Sequence, residues 1–103
     1  MLKRVLIANR GEIALRILRA CREMGIETVA VYSEADREAL HVQLATQAVC
    51  VGSARAADSY LNQKALLTVA KATNCDGVHP GYGFFSESAA FADACAEPGL
   101  TFI

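Results

Sequence analysis

The sequence predicts a three-layer α/β domain, a five-stranded parallel sheet with helices on both faces. Three observations carry this. Val5-Leu6-Ile7-Ala8 is an unbroken apolar run, which is how a strand covered on both faces reads. Strand-like and helix-like segments then alternate four times, the pattern of crossover-linked parallel strands. Hydrophobic residues make up 53% of the 103, enough for one core without disulfide or metal staples. Right-handed crossovers leave few topologies, of which strand order 3-2-1-4-5, with the first strand central, is favoured.

The elements follow in chain order. After the first strand, Asn9-Arg10-Gly11 is a tight turn. Glu12 to Met24 is the strongest helix; Asn9 and Glu12 have capping-box spacing, and Gly25 ends it. On a 3.6-residue wheel Ile13, Ile17, Cys21 and Met24 face inward. Glu12, Arg16, Arg19 and Glu23 face outward, with Arg19 and Glu23 spaced as an i,i+4 pair. Leu15 falls between Arg19 and Arg22 on the outer side, as an isolated exposed leucine or as a subunit contact beside arginines. Thr28 to Tyr32 is the second strand, and Ser33 to Asp36 a cap-and-turn pattern. A short helix, Leu40 to Ala45, leads to the third strand, Ala48 to Val51, and a loop over 52–60. Asn62 caps a helix from Gln63 to about Thr73. Gly77-Val78-His79 is the fourth strand; a helix from about Ser88 to Ala96 and a strand from Thr101 complete the alternation.

Order 3-2-1-4-5 reverses its winding between strands one and four. Ligands of open α/β sheets bind at such a point, beyond the carboxyl ends of the strands. Two loops meet there: Asn9-Arg10-Gly11, and Pro80-Gly81-Tyr82-Gly83-Phe84-Phe85 after His79. The second has two glycines around one aromatic ring, a backbone able to turn sharply and approach another molecule closely. Pro80 stops the strand, and Ser86 or Ser88 caps the next helix. Arg16, just over a turn into the first helix, can reach towards the same crevice.

Composition excludes some classes. A formal net charge of -1 gives no electrostatic case for nucleic acid or an acidic membrane. No apolar run approaches the ~20 residues of a membrane span, and the start leads straight into a strand, unlike a signal peptide. Cys21, Cys50, Cys75 and Cys95 lie at least twenty residues apart with no C-x-x-C, so they read as buried, reduced thiols of a cytoplasmic protein. No metal site is expected.

Three chemistries compete at the rim. Asn9 to Ala14 matches the dinucleotide fingerprint at its second and third small positions, fails at the first, and has Glu34 where a ribose-binding acid would stand. Backbone N–H groups of Gly81-Tyr82-Gly83 could hold a phosphate or other anion. His79, Ser86 and Glu87 invite a catalytic reading, but one turn does not supply hydroxyl, base and orienting acid together, and His79 reads as a hydrogen-bonded strand end. No complete active site is expected in this chain.

The stretches Ile7-Ala8-Asn9-Arg10-Gly11-Glu12-Ile13-Ala14 and His79-Pro80-Gly81-Tyr82-Gly83-Phe84 together resemble the biotin carboxylase family, and the likeness runs along essentially the whole chain. It is closest to the biotin carboxylase of acetyl-CoA carboxylase, and nearly as close to the propionyl-CoA, methylcrotonyl-CoA and pyruvate enzymes. The resemblance implies a Rossmann-like (pre-ATP-grasp) domain over residues 1–103, without the family's ATP-grasp and carboxy-terminal domains. It implies that the whole enzyme uses ATP, magnesium and bicarbonate to carboxylate N1 of biotin on a carrier protein, with a carboxyltransferase as further partner and a role in fatty acid biosynthesis. No cofactor is expected on this chain alone, and the chain alone is expected to be inactive. By resemblance Tyr82 and Gly83 border the biotin site, and Arg16 faces the active-site cleft in an anion-orienting role. Arg19 and Glu23 match the helix face on which family members dimerise; Leu15 and Arg22 join them from the wheel. A stand-alone nucleotide-binding module and a dimerisation module are the alternatives.

Overall fold

The structure, a computed structural model, describes residues 2–103. Five strands form one parallel sheet: β1 (Arg4–Ile7), β2 (Glu27–Ser33), β3 (Gln47–Gly52), β4 (Gly77–His79) and β5 (Thr101–Phe102). Their order is β3-β2-β1-β4-β5, as the sequence predicts. The helices are α1 (Gly11–Glu23), α2 (Leu40–Leu44), α3 (Gln63–Ala72) and α4 (Ala89–Ala96), with short 3-10 turns at Glu34–Asp36 and Ala56–Asp58.

The two-residue pleat of β1 divides the core. Val5 and Ile7 pack with Ala14, Ile17, Leu18 and Cys21 of α1. Leu6 and Ala8 point the other way, into Val31, Tyr60, Leu66, Val78, Phe91 and Cys95 under α3 and α4. Each fully buried aliphatic side chain contributes roughly 1.5–3 kcal/mol, which is why an unbroken apolar run belongs at the sheet centre. Asn62 caps α3 through Ala65 N–H, and Ser88, rather than Ser86, caps α4 through Phe91 N–H.

Three side chains depart from the wheel and strand readings. Leu15 is 8% exposed, so it is part of the core and not an outward leucine, while Glu12, Arg16, Arg19 and Glu23 stay exposed; α2 packs on α1. Met24 is 66% exposed, because it is the helix C-cap and has left the inward stripe. Cys50 is exposed because β3 is an edge strand; Cys21 and Cys95 are buried and Cys75 is half-buried. Among the described residues, the i,i+4 ion pair on α1 is Arg16–Glu12 at 3.8 Å rather than Arg19–Glu23.

Candidate functional site

The two rim loops are fastened together by Asn9. Its side chain is buried, and its Nδ2 donates to the carbonyls of Pro80 at 2.7 Å and Tyr82 at 2.6 Å. Its Oδ1 accepts from Arg10 N–H at 2.8 Å. Two carbonyl partners on one side and an N–H on the other fix which way the amide faces. The capping-box reading is therefore corrected: Arg10 is the N-cap of α1 without a side-chain cap bond, and Asn9 serves the opposite loop. Asn9 occupies the place of the fingerprint's first glycine, and its amide ties that turn to the neighbouring loop.

The second loop coils tightly. Gly81, Gly83 and Phe84 all have positive φ, at 66°, 68° and 46°. The loop lies so close to α1 that a Cβ on Gly81 would stand 2.6 Å from Ile13 Cγ2 and 3.1 Å from Asn9 Nδ2. Gly81 N–H donates to His79 Nδ1 at 3.1 Å, and burial pushes the His79 imidazole below its ordinary pKa. That bond matches the reading of His79 as a hydrogen-bonded strand end, and it engages one of the N–H groups considered for anion binding.

Between this loop and α1 runs a groove of about 360 Å³, lined by Arg16, His79, Gly81 and Tyr82 over Ile13, Ile17 and Ala20. Tyr82 is 76% exposed at its lip, and Arg16 is exposed beside Glu12. Gly83 is exposed past the lip, and Gly11, with φ 64°, opens α1 at the groove's end of the first loop. The groove thus joins Arg16 with Tyr82, His79 and Gly81. Arg19, Arg22 and Glu23 are exposed further along α1.

Arg10 turns away from the groove. Its guanidinium grips Asp36 through two bonds of 2.7 Å and lies 6.0 Å from the centre of the Tyr60 ring. Tyr60 is buried, donates its hydroxyl to Asp36 Oδ2 at 2.6 Å, accepts from Ser33 N–H at 3.1 Å, and stacks on Phe84 at 5.5 Å. Sequence reasoning missed Asp36 and Tyr60 as rim residues. Tyr60 stands in a stretch without periodicity, and the only signal was Asp36 closing the Ser33–Asp36 turn pattern. Burial raises the Tyr60 phenol above its ordinary pKa.

The Arg10 guanidinium holds the Asp36 carboxyl down at about 2, below its ordinary 3.8, and the side chain is only 13% exposed. A carboxyl whose folded pKa is depressed stabilises the fold above its unfolded pKa and loses that contribution as pH falls through the folded one. We therefore expect Asp36 to contribute about 2 kcal/mol near neutrality, lost between roughly pH 5 and pH 2. Urea midpoints measured across that window should decline in the native chain and lose this part of the decline in Asp36→Asn. Parallel curves would contradict the pairing.

Among the described residues, no three His, Cys, Asp or Glu side chains are grouped to hold a metal ion, and no helix is long and apolar enough to cross a membrane.

Fold and rim together define a doubly wound α/β domain with a groove at its topological switch point, where open α/β sheets bind their ligands. The chain belongs to the biotin carboxylase family: residues 1–103 match its N-terminal domain. It is 61% identical over 103 residues to biotin carboxylase 1 of Bacillus subtilis, covering 100% of this chain and 23% of that protein. It is 56% identical over 101 residues to the mitochondrial methylcrotonoyl-CoA carboxylase subunit alpha of Oryza sativa subsp. japonica, covering 98% and 14%. The biotin carboxylase domain of Hydrogenobacter thermophilus 2-oxoglutarate carboxylase superposes with a TM-score of 0.93 at 47% identity, covering 99% of this chain and 22% of that one. That structure is a dimer in complex with magnesium ADP, ADP and bicarbonate. The chain spans about a quarter or less of the length of these relatives.

Proposed function

We propose that residues 1–103 form the amino-terminal domain of a biotin carboxylase, supplying one wall of its active site and part of a dimer interface. In the whole enzyme, ATP and bicarbonate provide the carboxyl group placed on N1 of biotin, which a carrier protein delivers. The observation that supports this most is the Asn9 fastening, which sets Tyr82 and Arg16 on facing sides of one groove. An apolar floor of Ile13, Ile17 and Ala20, edged by His79 and by the Arg16 guanidinium beside the Glu12 carboxylate, suits a compact ring system with one polar edge. Tyr82 and Gly83 border biotin, and Arg16 orients an anion. In this reading, which follows the family resemblance, ATP and magnesium belong to the remainder of the enzyme.

Arg19, Arg22 and Glu23 present charges of both signs on one exposed face of α1, which suits a two-fold self-complementary contact. Leu15, buried within the chain, adds no exposed surface to it. The resemblance to acetyl-CoA carboxylase's biotin carboxylase favours a cytoplasmic parent acting with a carboxyltransferase in fatty acid biosynthesis.

A chimera tests the reading. These 103 residues replace the matching segment of the Bacillus subtilis relative. We expect biotin- and bicarbonate-dependent ATP hydrolysis from the chimera and none from the 103-residue chain alone. A folded but inactive chimera, or turnover by the pure chain, would contradict it.

A further inference from the structure

The glycine turn is held at several points, among them Gly81 N–H on His79 and Phe85 stacked on Phe91, and two of the paths that hold it lead back to one carboxylate. On the first path, Asp36 grips Arg10, whose N–H is accepted by Asn9, whose amide donates to the Pro80 and Tyr82 carbonyls. On the second, Asp36 accepts the Tyr60 hydroxyl, and the Tyr60 ring stacks on Phe84, the residue directly after Gly83. Tyr82 and Gly83 therefore lie between the two points of attachment. A turn with three successive-or-alternate positive-φ residues, 81, 83 and 84, has no regular ladder of its own to set its shape. Beside the internal Ser86 N–H to Gly83 carbonyl bond, its shape depends on what grips it. Asp36 stands in the 3-10 turn after β2, outside the groove, and its hydrogen-bond partners Arg10, Ser33 and Tyr60 are not groove-lining residues.

Resting on the reading of the groove given above, we propose that Asp36 is a positioning residue for the Gly81–Gly83 turn, acting through Arg10–Asn9 on one flank and Tyr60–Phe84 on the other, and so sets the biotin-facing edge of the site. Loosening it displaces Tyr82 and Gly83 without touching any group that meets the nucleotide. Small misplacement of a positioning element costs one to two orders of magnitude in productive binding.

In the chimeric carboxylase, Asp36→Asn should raise the KM for free biotin roughly tenfold while leaving the KM for ATP within about twofold. Asp36→Glu, which keeps the charge, should recover part of the loss. Tyr60→Phe, which keeps the ring but removes the hydroxyl, should fall between native and Asp36→Asn. A role in stability alone would lower the melting temperature and the active fraction, and leave both KM values in place; that result overturns the proposal. So does an equal rise in both.

A second readout separates this proposal from the function it rests on. In the 103-residue chain, Asp36→Asn should speed hydrogen exchange of the Asn9 side-chain amide about tenfold relative to backbone amides of α3. Should Asp36→Asn not fold, Arg10→Lys, which breaks the two-pronged grip, carries the same expectation. An inactive native chimera with accelerated Asn9 exchange in the variant sinks the biotin reading and keeps the positioning. An active chimera with unchanged exchange and unchanged biotin KM in the variant does the reverse.

Discussion

Asn9→Ala should unfasten the two rim loops and lower stability by about 3 kcal/mol, the loss of three hydrogen bonds at a buried position. For a domain of this size that is a drop of roughly 15 °C in melting temperature. Asn9→Asp should be worse than alanine near neutral pH. Its carboxylate would keep the acceptor for Arg10 N–H but set a negative oxygen against two carbonyl oxygens at about the present 2.6–2.7 Å. Thermal unfolding of the two variants checks the order. Near-native stability of Asn9→Asp would mean that the amide donates to neither carbonyl. A helix-cap role would give the opposite ranking, since aspartate caps as well as asparagine.

The second large effect is at Gly81. An alanine there must adopt φ near 66° and find room for a Cβ 2.6 Å from Ile13 Cγ2. The left-handed backbone alone costs about 1–2 kcal/mol. The obstructing methyl is on a β-branched residue inside α1 and has little freedom to move. Adding the displaced contact, Gly81→Ala should cost about 3 kcal/mol or more. Gly83 has the same backbone, φ 68°, but nothing within 4 Å of its Cβ position. Gly83→Ala should therefore cost only the backbone share, about 1–2 kcal/mol. The pair isolates close approach from conformation; equal losses at the two glycines would place the loop away from α1.

Much of this was readable from residues alone. β1 announces itself because burial on both faces removes every polar residue from Val5 to Ala8. The alternation of elements with right-handed crossovers favours the sheet order observed, and that order brings Asn9–Gly11 beside Pro80–Phe85. What holds those loops together was not readable. A wheel or a capping box sees three or four residues along the chain, whereas Asn9 meets partners 71 and 73 residues away. Tyr60 illustrates the same limit: a loop residue without periodic neighbours, it becomes one of the most buried side chains because it fills the space between β2 and Phe84. A wheel sees α1 alone and so misplaces Leu15, which the packed domain buries; Cys50 is misread from cysteine spacing, although the predicted order already sets the third strand at the sheet edge.

The central claim is physical contact between two loops far apart in sequence, made by one side-chain amide. Trans-hydrogen-bond scalar couplings in isotope-labelled protein observe that contact directly. Correlations from Asn9 Nδ2 to the carbonyl carbons of both Pro80 and Tyr82 are the predicted result. A sharp, rapidly exchanging Asn9 amide with neither correlation would contradict it.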